Sequence, residues 1–230
     1  MNYYQTLKFG SNKLKLNNID THILDSELLL SYTLNLPREK VLINLNSNIK
    51  KHKLNLYKKL LSRRERKEPI AYIVKKKEFW RNNFYVNNNV LIPRPETELL
   101  VEQILKIYKK KKSINFLEIG FGSGCIMLSV LKEKISFLGK GVDLSDHCYK
   151  LCKINANKLG VSNRIKLFKS DIDNFSLGKY DLIISNPPYI KKFDLNKLDR
   201  DIKIYEPKIA LTGGIDGLSS FRKIINKSSE

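Results

Sequence analysis

The segment that decides the fold reads Ile114-Asn115-Phe116-Leu117-Glu118-Ile119-Gly120-Phe121-Gly122-Ser123-Gly124. An apolar run leads directly into three alternate glycines, and helical spacing follows from Ser123 to Lys132. A strand, a glycine loop and a helix in this order are typical of nucleotide-binding α/β folds. A dinucleotide fingerprint would need glycine where Cys125 stands, so the spacing argues against a nicotinamide or flavin. No Gly-Lys-Ser/Thr follows, and a triphosphate loop is therefore not indicated either.

Apolar and helical segments continue to alternate after this loop. The predicted strands are Ile114–Ile119, Phe137–Leu144, Arg164–Phe168 and Tyr180–Ser185, and the predicted helices are Ser123–Lys132, Asp146–Leu159 and a later one near Leu218–Ile225. This alternation predicts a mostly parallel sheet with right-handed crossovers. Ligands of such sheets bind at the carboxyl ends of the strands.

Asp143 ends the second predicted strand, about 20 residues beyond Gly122, which is near the offset at which an acidic side chain binds ribose hydroxyls. Glycines let a ligand approach the backbone, and free N–H groups at a helix start attract a carboxylate or phosphate. The loop and the acid together predict a nucleoside ligand. The alternative is a plain tight turn with Asp143 as a helix cap.

A second motif, Asn186-Pro187-Pro188-Tyr189, follows the strand Tyr180–Ser185 directly. The two prolines stop the strand and stiffen the turn at the carboxyl edge of the sheet. The Asn186 amide and a carbonyl of the turn can bond a planar –NH2 group, and Tyr189 offers a ring to stack on it. We therefore predict that Asn186 and Tyr189 are catalytic and that residues 186–189 bind the substrate.

The first half of the chain has a different pattern. Residues 20–69 contain no glycine and repeat leucines at helical spacing, with Asp20 or Thr21 as a first cap, Pro37 opening a second helix and Pro69 ending a third. Aromatic and β-branched residues between Ala71 and Ile92 predict a hairpin. The domains predicted are a helical substrate-recognition domain over 1–70, a hairpin and connector over 71–95, and an α/β domain over 96–230. The connector leads into a helix through about Tyr108.

Composition narrows the class of protein. The chain has 230 residues, 42% hydrophobic and 29% charged, which disfavours a disordered or fibrous protein. No apolar stretch approaches the roughly 18 residues of a membrane span, and the start lacks a signal-peptide core, so we expect a cytoplasmic protein without membrane contact. The net charge of +20 either attracts nucleic acid or an acidic surface, or reflects a chain-wide bias towards lysine, asparagine and isoleucine.

Three cysteines, Cys125, Cys148 and Cys152, are an odd number without a paired framework, so reduced thiols are expected. His147 lies beside two of them, but a structural zinc site needs four ligands. We predict no metal.

The Asn-Pro-Pro-Tyr turn resembles that of class I S-adenosylmethionine methyltransferases, which modify amino groups attached to sp² carbons. The likeness to one family, the release factor glutamine methyltransferases (HemK/PrmC), runs from about Asp20 to Phe221. The similar stretches are Arg63-Arg64, Glu68–Tyr72, Glu78–Trp80, Leu91–Glu98, Tyr205-Glu206-Pro207 and Ala210-Leu211. The resemblance implies a Rossmann-like methyltransferase domain with a helical bundle before it and a β-hairpin between them.

The resemblance also implies a reaction. S-adenosylmethionine would be held by Gly120, Phe121, Gly122, Ser123, Gly124, Asp143, Asp171, Ile172 and Asn186. The substrate would be the Gly-Gly-Gln glutamine of class I peptide-chain release factors, and the product N5-methylglutamine. Two departures bear on hairpin geometry and cofactor affinity: Lys75 stands where glycine is expected, and Ile172 where an aromatic residue is common.

The family's sheet has seven strands in the order 3-2-1-4-5-7-6, and we identify four of them here. We therefore expect a sheet that lacks the last strands, an exposed apolar edge at Tyr180–Ser185, and poor stability and weak activity unless a partner or second copy covers it. Two other functions stay open at this point. One is N6-adenine or guanine-N2 methylation of nucleic acid, which the charge would suit, and the other is a binding module without turnover.

Overall fold

Helices build the first of two units, Met1–Lys75, in a computed structural model that describes residues 1–176 and 178–228. They are α1 (Tyr3–Leu16), α2 (His22–Leu34), α3 (Arg38–Ile43), α4 (Lys51–Glu65) and α5 (Ile70–Ile73). Leucine, isoleucine and valine side chains form one core, in which Tyr57 is fully buried. The predicted helical bundle is confirmed.

Helix α1 lies upstream of the segment in which we predicted helices. Its start is a capping box: the Asn2 side chain accepts from the Gln5 amide at 2.8 Å, and Gln5 Oε1 accepts from the Asn2 amide at 3.0 Å. Asn followed three residues later by Gln is a known start signal and was available in the sequence. Thr21 and Pro37 do stand at the starts of α2 and α3.

Two arginines at the end of α4, Arg63 and Arg64, make ion pairs inside this unit. Arg64 Nε donates to Asp25 Oδ2 at 2.7 Å, with both side chains at most 10% exposed, and Arg63 Nη2 lies 2.5 Å from Glu68 Oε1. Such pairing satisfies buried or half-buried charges within the protein. These two arginines therefore join α4 to Asp25 and Glu68. Their positive charges are paired within the protein, so they are explained without a nucleic-acid partner.

The second unit, Lys76–Glu230, begins with the hairpin β1 (Lys77–Phe79) and β2 (Asn82–Phe84). Its turn residues Trp80 and Arg81 have φ of +46° and +60°. The hairpin is confirmed, but its predicted start was wrong because Tyr72 and Ile73 lie in α5, where Ile73 packs in the helical core. Lys75 has φ of +54°, the left-handed conformation that the expected glycine would favour.

Among the described residues of this unit, four parallel strands form the sheet: β3 (Asn115–Ile119), β4 (Leu138–Asp143), β5 (Ile165–Lys169) and β6 (Leu182–Ser185). Their order is β5-β4-β3-β6, so β3 and β4 are central. The helices that accompany them are α6 (Glu98–Ile107), α7 (Cys125–Glu133) and α8 (Asp146–Leu159). The predicted α/β sheet is confirmed, and its order equals the first four strands, 3-2-1-4, of the family pattern.

Two helices follow the sheet, α9 (Arg200–Tyr205) and α10 (Ser219–Ser228). Strand β6 is at one edge of the sheet, and Ile224 of α10 packs against the core residues Leu117, Ile119 and Val142. Among the helices of residues 1–176 and 178–228, none is both long and apolar enough to cross a membrane. The low stability expected for the chain stays a prediction.

Candidate functional site

The glycine loop joins β3 to α7 and needs glycine for two different reasons. Gly120, Gly122 and Gly124 have φ of +72°, +52° and +77°, values that favour glycine. A Cβ at Gly120 or Gly122 would meet no described atom within 4 Å, so these two face open space. A Cβ at Gly124 would lie 2.5 Å from Cys152 Sγ, so this glycine lets α7 pack against α8.

Asp143, at the carboxyl end of β4, is bonded to that loop. Its Oδ2 accepts from the Gly122 amide at 2.9 Å, and its Oδ1 accepts from the Ser145 amide at 2.9 Å. Burial raises the pKa of Asp143 above its usual value, and the hydrogen bonds from Ser145 and Gly122 oppose that rise. The carboxylate is therefore fixed beside the open glycines with acceptor capacity to spare.

A cavity of about 400 Å³ lies over the loop, and we call it the cofactor cavity. It brings together six of the predicted cofactor residues: Gly120, Gly122, Asp143, Asp171, Ile172 and Asn186. Three other predicted residues, Phe121, Ser123 and Gly124, are not among the described residues that line it. Phe121 is 2% exposed and packs where a side chain at Gly141 would sit, 2.7 Å from its ring.

Asn155 of α8 bonds the glycine loop, and the sequence does not predict this contact. Its Oδ1 accepts from the Tyr85 amide at 2.7 Å, while its Nδ2 donates to the carbonyls of Tyr85 at 3.1 Å and Ser123 at 2.9 Å. The side chain is fully buried. An asparagine on the apolar face of a predicted helix, between Cys152 and Ala156, was the available signal, because buried amides need partners.

A second cavity, of about 500 Å³, is lined by all four residues of the Asn186–Tyr189 turn, and we call it the acceptor cavity because these are the residues predicted to bind the substrate. The connector, here residues 91–97 between the hairpin and α6, contributes Arg94, Glu96 and Thr97 to one wall. Tyr189 also lines this cavity, with 62% of its surface exposed. The residues common to both cavities are Leu91, Ser185, Asn186, Pro187, Pro188 and Ala210. The proline turn is thus a wall shared by two cavities.

Side-chain contacts fix both the turn and the connector. Asn186 Nδ2 donates to Thr97 Oγ1 at 3.2 Å. Arg94 Nη2 donates to Glu206 Oε1 at 2.6 Å, and the Ile92 amide donates to Glu206 Oε2 at 3.4 Å. The Glu206 side chain is 1% exposed, so this ion pair is largely shielded from water. The stretches around Pro93 and Pro207 are consequently held together.

Glu118 lies at the end of β3 just before the loop. Its Oε2 accepts from the Met127 amide of α7 at 3.0 Å. Burial raises the pKa of Glu118 to about 8, the Met127 hydrogen bond lowers it in part, and the nearby charge of Asp143 adds to the rise. The bond from Met127 joins the start of α7 to the end of β3.

Comparisons with known proteins agree with this geometry. Residues 5–74 match the PrmC N-terminal domain, and residues 95–200 match the methyltransferase small domain. A release factor glutamine methyltransferase of Caulobacter vibrioides is 34% identical over 216 residues, covering 94% of this chain and 75% of that protein. One of the same name from Clostridium acetobutylicum is 36% identical over 220 residues, covering 94% and 77%.

Among solved structures, the hMettl16 catalytic domain in complex with a MAT2A 3′UTR hairpin is similar to this chain. The TM-score is 0.53 at 17% identity, over 64% of this chain and 56% of that one. A likeness at this identity concerns the fold alone, and it agrees with the predicted class I methyltransferase domain.

Proposed function

The chain belongs to the release factor glutamine methyltransferase family, and from that membership we propose that it methylates the side-chain amide nitrogen of a glutamine in class I peptide-chain release factors. The glutamine would be that of the Gly-Gly-Gln motif, and the methyl donor is S-adenosylmethionine. The supporting observation is one wall, Asn186–Pro188, shared by a glycine-lined cavity and a second cavity beside it. We place the reaction in the cytoplasm, where release factors act.

The residues of the cofactor cavity fit S-adenosylmethionine. Gly120 and Gly122 leave space where side chains would stand, and Asp143 has a fixed carboxylate for the two ribose hydroxyls. Asp171 and Ile172 line the same cavity, and Ile172 packs against the apolar core of Leu117, Ile119 and Val142, so it would offer an apolar surface to a flat base. An aliphatic Ile172 gives less stacking than an aromatic residue, so we expect weaker binding of the adenine.

The acceptor side has to orient a poor nucleophile. The lone pair of an amide nitrogen is delocalised, so rate is gained by alignment and by exclusion of water rather than by a strong base. Asn186 Oδ1 and the Pro187 carbonyl would accept from the two N–H groups of the glutamine and stabilise the positive charge that develops on nitrogen. Tyr189 would stack on the plane of the amide. The prolines keep this turn rigid.

The bound cofactor supplies an electrophilic methyl group on a sulfonium. Transfer to the amide nitrogen would form an N–C bond as the C–S bond breaks, with S-adenosylhomocysteine as the leaving group and one proton lost from nitrogen to water. The part of this chain would be to hold and orient the amide nitrogen through Asn186 and Pro187. No metal is required for this displacement.

Transfer of a labelled methyl group tests the proposal. The purified chain is incubated with radiolabelled S-adenosylmethionine and a class I release factor, the same factor with its Gly-Gly-Gln glutamine changed to glutamate, or RNA and DNA. We expect label only on the unchanged release factor, and a rate about 10³-fold lower with the Asn186→Ala variant of the chain. Label only on nucleic acid would replace the proposal with base methylation, and release-factor binding without transfer would leave a binding module.

A further inference from the structure

The connector between the hairpin and α6 touches the acceptor site. Thr97 lies at the end of a short 3₁₀ turn, Pro95–Thr97, and lines the acceptor cavity. Its Oγ1 lies 3.2 Å from Asn186 Nδ2, which donates to it. This contact joins residues that are 89 positions apart, and Thr97 has no role in the methyl transfer proposed so far.

The contact bears on chemistry because the two ends of a carboxamide differ. One end of the Asn186 side chain is a pure donor and the other a pure acceptor. Rotation by half a turn would present the –NH2 group of Asn186 to the –NH2 group of the substrate, and two donors repel. Donation from Nδ2 to Thr97 selects the orientation in which Oδ1 is left to accept from the substrate.

Thr97 is itself held firmly. The Thr97 amide donates to the Arg94 carbonyl at 3.1 Å, and Arg94 is paired with the buried Glu206 at 2.6 Å. On the other side, Glu98 Oε1 accepts from the Trp80 amide of the hairpin turn at 2.9 Å. A hydroxyl supported on both sides can impose its orientation on a neighbour, because its own movement is restricted.

We propose that Thr97 is a positioning residue for methyl transfer, which fixes the amide of Asn186 with its oxygen towards the methyl acceptor. The inference rests on the proposed function and extends it to the connector. It makes the Leu91–Glu98 segment part of the acceptor site as well as the link between the hairpin and α6. The effect is confined to the acceptor, since Thr97 does not line the described cofactor cavity.

Two substitutions at Thr97 separate the hydroxyl from the shape of the side chain. Thr97→Val keeps the branched shape and removes the oxygen, whereas Thr97→Ser keeps the oxygen. For glutamine methylation of a release factor we expect Thr97→Val to lower kcat about 10-fold, the usual effect of one lost hydrogen bond, and Thr97→Ser to stay within about threefold of wild type. The dissociation constant for S-adenosylmethionine should be unchanged in both.

A double-mutant cycle shows whether Thr97 acts through Asn186. In an Asn186→Ala background the amide is gone, so Thr97→Val should have no further effect on the residual rate. An equal loss in both backgrounds, an undiminished rate in Thr97→Val, or a loss in Thr97→Ser as large as in Thr97→Val would overturn the inference. Thr97→Ala, with the same expectation as Thr97→Val, replaces it if the valine variant does not fold.

Failure of the proposed function gives a different result. Wild-type chain that transfers no methyl group to a release factor would overturn that function and this inference with it. Transfer by wild type together with a normal kcat in Thr97→Val would overturn the inference alone.

Discussion

The two cavities that share the Asn186–Pro188 turn are built in different ways. The cofactor cavity depends on backbone: open glycines and an aspartate that bonds an amide 21 positions away in the chain. The acceptor cavity depends on side chains brought from far apart, Asn186 with Thr97 over 89 positions and Arg94 with Glu206 over 112. The glycine loop and Asp143 of the donor side therefore follow from a short-range sequence pattern, whereas the acceptor contacts depend on tertiary packing.

The largest expected effect is on the rate of methyl transfer, and it comes from substitution of Asn186, which lines both cavities. Asn186→Ala removes the acceptor for the substrate N–H group, so we expect the rate of methyl transfer to fall about 10³-fold, as for loss of a fixed polar group in a transition state. Binding of S-adenosylmethionine, measured by calorimetry, should weaken by no more than about threefold, because the glycines and Asp143 remain. A cofactor affinity that falls together with the rate would show that the two cavities are not independent.

The next effect concerns the ion pair of the acceptor side. Glu206→Ala leaves Arg94 without its carboxylate in a half-buried position, so we expect the free energy of unfolding to fall by about 3 kcal/mol. Urea denaturation followed by circular dichroism measures this. Asp216→Ala removes a partner from the exposed pair Arg222–Asp216 and is the matched control. Since exposed pairs contribute little, similar losses in both variants would contradict the role of Glu206.

A smaller effect tests the backbone character of the cofactor side. Gly122→Ala and Gly160→Ala each add a methyl group that would meet no described atom within 4 Å. Both residues have positive φ, +52° and +71°, so each substitution should cost about 1 kcal/mol of stability. Only Gly122 lines the cofactor cavity. We therefore expect S-adenosylmethionine to bind about 10-fold more weakly to Gly122→Ala and normally to Gly160→Ala, with both measured by titration. Equal affinities would remove the glycine loop from the cofactor site.

The smallest expected effect is on how the free energy of unfolding changes with pH. It comes from the buried carboxyl of Glu118, whereas Glu206 acts through an ion pair. The pKa of Glu118 is raised by burial to about 8 in the folded protein, so the folded state holds a proton that the unfolded state releases near 4.5. Its contribution to stability is complete below pH 4.5 and is lost as pH rises towards 8. From pH 6 to pH 7 the unfolding free energy of wild type should fall by about 1 kcal/mol relative to Glu118→Gln. Parallel pH profiles for the two proteins would show that Glu118 is ionised in the folded state.

The difference between short-range sequence spacing and tertiary contacts also explains which features the sequence could predict. The four strands, the helices between them and the lining residues Gly120, Gly122 and Asp143 follow from periodicity and short-range spacing. Asn155 and the Thr97 contact depend on which distant segments pack together, and periodicity does not show that. The position of Phe121 in the loop predicts a contact with the cofactor, but its side chain is buried and packs against Gly141. A loop motif identifies backbone neighbours of a ligand better than it identifies side-chain neighbours.

The most direct test of a donor cavity and an acceptor cavity joined at Asn186 is a single-turnover comparison of two variants at saturating S-adenosylmethionine. Asp143→Ala should regain most of the wild-type rate of methyl transfer, because its defect is in cofactor affinity. Asn186→Ala should stay about 10³-fold slow at any cofactor concentration. Recovery of both variants, or a slow rate in both, would contradict the account.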